Sequence, residues 1–289
     1  TTIYYRCNVT CTNGGGAAVT PSVSINPPAN PATQVTTAVA SSISYTGFIT
    51  TWVNGNGNRR VVYVSDTAII EPSNATGAAA HTANTVYAGS GQQIVFDGTG
   101  TSVSVTGLAL GTTYYVKVFE YTRCGTTTFD YYYSTISGTN AISVSTTSPT
   151  AVPWTEGFAT TTLPSEWLNT SSLTIASNVS SLNPALATNY MYDNLYDYGY
   201  ISNTTANFST PIFASLPSNY RLVFDYKINN YNLSTAPGSG TGNIVVAIST
   251  NNRSSFTTLQ SINNNSITGW QNVVIDLSAY SGQNICLKF

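Results

Sequence analysis

Val103-Ser104-Val105-Thr106-Gly107-Leu108, followed by Gly111-Thr112-Thr113-Tyr114-Tyr115-Val116-Lys117-Val118, is the stretch whose reading decides the fold. Apolar and polar residues alternate in both runs, the apolar ones are β-branched or aromatic, and glycines separate the runs. That pattern describes strand, turn and strand, because successive side chains of a strand point to opposite faces. The same vocabulary extends outward in both directions. Thr, Val, Ile and Tyr are abundant, turn residues recur at short intervals, and no stretch keeps a helical apolar period over three turns. The chain is therefore expected to be all-β, built as tandem β-sandwiches.

Upstream of that stretch, Trp52 lies in a strand Ile49–Val53, Asn54-Gly55-Asn56-Gly57 reads as a hairpin turn, and Arg60–Ser65 reads as the returning strand. These elements make residues 32–147 the first complete domain. It is preceded by a stiff Pro-rich linker at 28–31 and by a short unit, residues 1–27. In that unit Ile3 to Cys11 is strand-like, Thr12-Asn13-Gly14-Gly15-Gly16 is a turn, and Val19 to Ile25 is a second strand. An isolated hairpin is marginal in water and needs a partner sheet. Residues 148–153 form a second linker, rich in Thr, Ser and Pro, and residues 154–289 make the last domain.

Composition narrows the function classes. The 289 residues are 42% hydrophobic, enough for packed cores, yet only 7% are Asp, Glu, Lys or Arg, against roughly 25% in an average soluble domain. Polarity comes from Thr, Ser, Asn and Gly, with 20 Tyr added. An uncharged surface does not hold molecules apart and tends to associate. Nine basic residues against eleven acidic ones are scattered, with Arg59-Arg60 the only adjacent basic pair. Phosphate neutralisation needs a basic stripe, so nucleic-acid binding is excluded. No apolar run of about 18 residues occurs, so no membrane span is expected.

The residues around the opening stretch resemble a fibronectin type III domain. The pattern Leu108-x-x-Gly111-Thr112-x-Tyr114-x-Val116-x-Val118 carries the likeness, with "WVNGNGNRRVVYVSD" before it and "YYVKVFEYT" within it. The resemblance implies that Tyr114 is a corner tyrosine bonding back to the backbone and that Trp52 sits in the core. Residues 1–27, with "YYRC.VTC", resemble the last two strands of an immunoglobulin-like module. Glu156-Gly157-Phe158, then Leu163-Pro164-x-x-Trp167, resemble the opening of the choice-of-anchor J, or cleaved-adhesin, jelly roll. "ANFSTPIF", "YRLVFDYKI", "IVVAIST" and "GWQNVVIDLSAYSGQNICLKF" extend that match. Together these resemble secreted surface proteins of Bacteroidetes, which implies export by the type IX pathway and an extracellular, cell-surface location. The jelly-roll family usually continues to a further strand with an acidic motif. The expectation is either a window from a longer modular protein or copies that complete one another's sheets by strand addition.

Candidate sites follow from residue chemistry. Catalysis is the weakest reading: the one histidine, His81, sits in a Gly/Ala/Asn-rich loop, and no HExxH, Walker or GxSxG motif occurs. Calcium wants several hard oxygen ligands. Asp193, Asn194 and Asp197 gather two carboxylates and an amide, and the jelly-roll resemblance adds Glu156 and implies a structural calcium ion. Tyr190, Tyr192, Tyr196, Tyr198 and Tyr200 share one parity, so a strand there would line them on one face, for sugar or protein contacts or for ordinary packing. Tyr131-Tyr132-Tyr133 invites the same pair of readings. Asp66-Thr67-Ala68 resembles the acceptor of Bacteroidetes O-glycosylation, which makes Thr67 the candidate residue and the chain a glycoprotein.

Cys7, Cys11, Cys124 and Cys286 are disulfide candidates of unreadable pairing or free buried thiols. A bond between Cys7 and Cys11 needs a turn between them, since strand residues four apart are roughly 13 Å from each other.

The expected function is a non-enzymatic extracellular structural or adhesive protein, with a filament subunit among its forms. Its expected partners are other copies of itself, neighbouring surface proteins or glycans. The alternative is a carbohydrate-binding or accessory region of a larger secreted hydrolase.

Overall fold

The computed structural model describes residues 3–5, 8–9, 18–25, 28–136, 138, 140–170, 174–177, 189–192, 205–228, 242–264 and 269–289. Apart from one 3-10 turn at Ser278–Tyr280, every regular element among them is a strand, so the chain is all-β. It divides into two compact units, Thr1–Ser148 and Pro149–Phe289.

The first unit opens with β1 (Ile3–Tyr5), β2 (Asn8–Val9), β3 (Ala18–Val19) and β4 (Val23–Ile25). β1 pairs antiparallel with β4 and β2 with β3, in registers one residue apart. Next come β5 (Thr36–Ser41), β6 (Phe48–Val53), β7 (Arg59–Ser65), β8 (Ala75–Ala78), β9 (Gln93–Gly98), β10 (Ser102–Val105), β11 (Thr113–Cys124), β12 (Phe129–Tyr133) and β13 (Ala141–Ser145). They build a sandwich. One sheet has the order β10-β6-β5, and the other runs β8-β12-β11-β7-β9 with β13 also on β11.

Alternation decides which side chains meet between the sheets. Phe48 and Trp52 from β6, Val103 and Val105 from β10, Val62 and Val64 from β7, and Tyr114, Val116 and Val118 from β11 are all buried in one cluster. Tyr114 is buried, and its hydroxyl accepts the Ala109 N–H at 2.9 Å. The expected corner tyrosine and core tryptophan are thus present.

β11 changes character along its length. Its first half alternates buried and exposed residues, whereas Val118 to Tyr121 are all buried. The reason is a cover. The segments flanking β8, which itself extends the sheet at its β12 edge, lay Ile69 and His81 over the outer face, where Val61, Phe119, Tyr121, Tyr131 and Tyr133 are buried in a second cluster. A sheet covered on both faces loses its alternating pattern.

The Asn54–Gly57 segment is not a hairpin turn. β6 and β7, which it joins, belong to different sheets, so the chain crosses the sandwich there. A Cβ on Gly55 would stand 2.2 Å from the Thr33 carbonyl oxygen, and one on Gly57 would stand 2.5 Å from that of Tyr121. The glycines serve close backbone approach rather than a two-residue turn.

The second unit holds β14 (Leu168–Asn169), β15 (Thr174–Ser177), β16 (Asn189–Tyr192), β17 (Phe208–Ser209), β18 (Arg221–Tyr226), β19 (Asn243–Ser249), β20 (Thr257–Asn263), β21 (Gln271–Asp276) and β22 (Cys286–Lys288). Five strands pair as β14-β17-β22-β19-β20, and β18 with β21 and β15 with β16 form two-stranded sheets. Val246, Ile248, Ile262, Ile275, Ile285 and Leu287 anchor one core, against which Leu222, Phe224 and Val273 of the β18–β21 pair also pack. Trp167 sits in an aromatic cluster with Trp154, Phe158 and Phe208, at centroid distances of 5.4–5.7 Å.

Candidate functional site

Charge is divided unequally between the two sheets of the first unit. No charged residue occurs from Cys7 to Asn58 or from Gly98 to Val116, and these tracts supply the whole of β5, β6 and β10. Every charged residue described in this unit (Arg59, Arg60, Asp66, Glu71, Asp97, Lys117, Glu120, Arg123 and Asp130) lies on the larger sheet or in the connection from β7 to β8.

The smaller sheet turns an uncharged face outward. Register puts Val39 and Ser102 on either side of Thr51, and Ser104 beside Ile49. Thr51 and Ile49 alternate with the buried Thr50 and Trp52, so they point away from the core. Val39 is 47% exposed and Val53, on the same parity, is 57% exposed. The result is a patch of aliphatic side chains interleaved with hydroxyls. Its β5 edge is broken by a register shift between Thr36 and Val39, where Thr37 takes a left-handed φ of 55°.

On the larger sheet the charges are engaged in holding the structure together. Under this cover, Asp97 Oδ1 accepts from Arg59 Nε at 2.8 Å and from the Tyr121 hydroxyl at 2.5 Å. His81 comes from the cover itself. Its ring stacks on Tyr131 with centroids 4.3 Å apart and planes at 16°, Nε2 lies 3.0 Å from the Tyr133 hydroxyl, and Nδ1 lies 3.2 Å from Asp97 Oδ2. That last approach lacks the alignment of a hydrogen bond. Burial pushes the Asp97 carboxyl up, but His81, Tyr121 and Arg59 outweigh it and bring the pKa down to about 2.

Asp97, His81 and Tyr133 thus stand in the order of a relay, but the terminal hydroxyl is not activated. Burial, reinforced by the neighbouring Tyr63, raises the Tyr133 phenol well above its ordinary range, and Tyr133 is buried. A nucleophile needs a lowered pKa or an adjacent base together with access to substrate. This arrangement fastens a cover instead. Asp130 Oδ1 accepts the Gly77 N–H, Asn74 Oδ1 accepts the Tyr133 N–H, the Tyr131 hydroxyl donates to Ala79 O, and Lys117 pairs with Glu71.

A second buried charge fixes the crossing at 54–57. Glu120 is fully buried and faces Arg60, with Arg60 Nε donating to Oε2 at 3.0 Å and Nη2 standing 2.7 Å from Oε1. Oε2 also accepts the Gly55 N–H at 2.9 Å, and the Gly57 amide joins it. Burial raises the Glu120 pKa against these stabilising contacts.

The residues singled out from sequence are dispersed. Cys7, Cys11, Asp193, Asn194, Asp197, Tyr196, Tyr198 and Tyr200 lie outside the described residues. Glu156 closes a local turn, with Oε1 accepting the Phe158 N–H at 2.6 Å. Among the described residues no group of three or more His, Cys, Asp or Glu could hold a metal ion. Tyr190 is buried and packs edge-on against Trp270 at 6.0 Å, so it belongs to packing rather than to an exposed aromatic face, and Tyr192 is half-buried beside it. Tyr131 and Tyr133 are buried as well.

Thr67 is exposed, in a turn where its N–H donates to Ser65 Oγ. Cys124 and Cys286 carry free thiols. That of Cys286 is buried and donates to Thr210 O at 3.1 Å, and its pKa is raised by burial despite Arg253 beside it.

Sequence reasoning missed both the uncharged face and the covered His81 cluster. The signal for the first was the long charge-free tract from Cys7 to Asn58. For the second no local signal existed, because sheet pairing brings Arg59, Asp97 and Tyr121 together and the segment after β8 lays His81 over them. The chain matches no protein-family model and none of the curated proteins. Among the described residues no helix is long and apolar enough to cross a membrane.

Proposed function

We propose that this chain is an extracellular structural or adhesive protein of a cell surface, acting through protein–protein or protein–glycan contacts rather than through chemistry on a substrate. One observation carries the reading: the smaller sheet of the first unit presents an outward face without a single charge, while every described charged residue of that unit lies on the other sheet or in the connection from β7 to β8. Charge on a surface keeps molecules apart, and its withdrawal makes a surface cohesive. The resemblance to fibronectin type III and cleaved-adhesin modules supports the same reading. It also supports secretion from a Bacteroidetes cell and an O-glycan on the exposed Thr67. Beads coated with the chain should clump and should adhere to surfaces displaying it. Beads that stay dispersed would remove the adhesive reading.

A second reading, a carbohydrate-binding accessory region, draws support from a depression of about 100 Å³ in the second unit. Ile248, Thr250, Asn251, Ser255, Thr257 and Tyr280 line it. Hydroxyls and an amide beside an aromatic ring suit a sugar. Glycan-array binding that Tyr280→Ala abolishes would favour this reading. The calcium proposal involves Glu156 with Asp193, Asn194 and Asp197; an unchanged melting temperature on calcium titration would remove it.

A further inference from the structure

We infer that the uncharged face of the β10-β6-β5 sheet is a homotypic contact, packing face to face on the same face of a second copy of this chain. The inference rests on the adhesive reading above and names its partner.

Three features select a second copy. Thr51, Ser102 and Ser104 each carry a hydroxyl that both donates and accepts, so a two-fold-related copy satisfies its own polar groups. Val39, Ile49 and Val53 supply apolar surface between those hydroxyls, and two sheets pack through such interdigitation. None of the three strands carries a charge, so two copies meet without like-charge repulsion. A charged partner, by contrast, would lose hydration there and gain no counter-charge. Edge-on addition at β5 is opposed by its bulge and the left-handed Thr37.

The area sets the strength. Two strands of six residues and one of four cover about 260 Å². Two such faces together remove on the order of 500 Å² from water, below the roughly 1,200 Å² of a stable interface. The contact is therefore weak for one pair and becomes effective when many copies are held on one surface, where avidity multiplies it.

Thr51 lies at the centre of the face and gives the test. Sedimentation velocity of the whole chain should reveal concentration-dependent association. Thr51→Lys and Thr51→Glu should each weaken it by at least about tenfold. An equimolar mixture of the two should restore it, since each charge then faces its opposite. Thr51→Val should associate at least as well as the native chain, which separates loss of the face from loss of the fold. Association untouched by both charged variants, or an equimolar mixture that stays monomeric, would overturn the inference.

The adhesive reading has its own test. Adhesion of coated beads to other surfaces that survives in Thr51→Lys, with no self-association of the native chain, sinks the homotypic contact alone. Beads that neither clump nor adhere sink the reading beneath it.

Discussion

The two sheets of the first unit share one core yet treat charge in opposite ways. The larger sheet carries Arg59, Arg60, Asp97, Lys117, Glu120, Arg123 and Asp130 on its strands, whereas the smaller sheet carries none. In an ordinary soluble domain, charges stand outside and hold water at the surface. Here Glu120, Arg60 and Asp97 are turned inward, as clamps on a crossing loop and a cover. On the larger sheet these three groups hold internal geometry, and the outward face of the smaller sheet is left to hydroxyls and short aliphatic groups. Where the few charges of this unit sit, as well as how few they are, decides what each sheet presents outward.

That contrast can be broken first at its strongest point. Glu120→Ala leaves Arg60 buried without a counter-charge and removes the acceptor of the Gly55 amide; it should cost about 3–5 kcal/mol in urea unfolding. Thr51→Ala on the other sheet should stay within about 0.5 kcal/mol of the native chain. Equal losses at the two positions would erase the distinction.

Gly55→Ala places a Cβ against the Thr33 carbonyl and should destabilise by more than about 1 kcal/mol. A shared loss of protection by the Glu120-bound amides in hydrogen exchange would tie the effect to the crossing.

The third effect depends on pH. Because the Asp97 pKa is depressed to about 2, its contribution is complete above the ordinary carboxyl range and is lost as pH falls through about 2. The size is about 2 kcal/mol. Amides of the 66–84 cover should therefore lose protection in acid before those of β5, β6 and β10. Asp97→Asn should flatten that acid limb. Simultaneous loss in both sheets would assign the acid sensitivity elsewhere. The smallest effect belongs to Thr51→Lys, whose stability should match the native chain within about 0.5 kcal/mol even though its association changes.

Much of this fold was legible because alternation is a local property. Tyr114, Val116 and Val118 announce an inward face through spacing alone, and Trp52 sits where its strand's parity puts it. The crossing at 54–57 was not legible, because Asn-Gly pairs are favourable in hairpin turns and the buried Glu120 that draws the glycine amides inward lies 65 residues away from Gly55. β8, with Ala75-Thr76-Gly77-Ala78, has no strand signature of its own and owes its conformation to pairing with β12. Tyr190 shares its parity with the other tyrosines, but parity alone does not say whether a face is the inner or the outer one. The uncharged face was half-legible: the charge-free tract is plain, and only the sheet assignment gives it a surface.

Sedimentation velocity of the native chain at low and high salt tests the central claim most directly. An uncharged contact should give the same concentration-dependent association at about 0.05 M and about 0.5 M salt, where the Debye length shrinks severalfold. Association that dissolves at the higher salt, or a chain that is monomeric at every concentration in both, would contradict it.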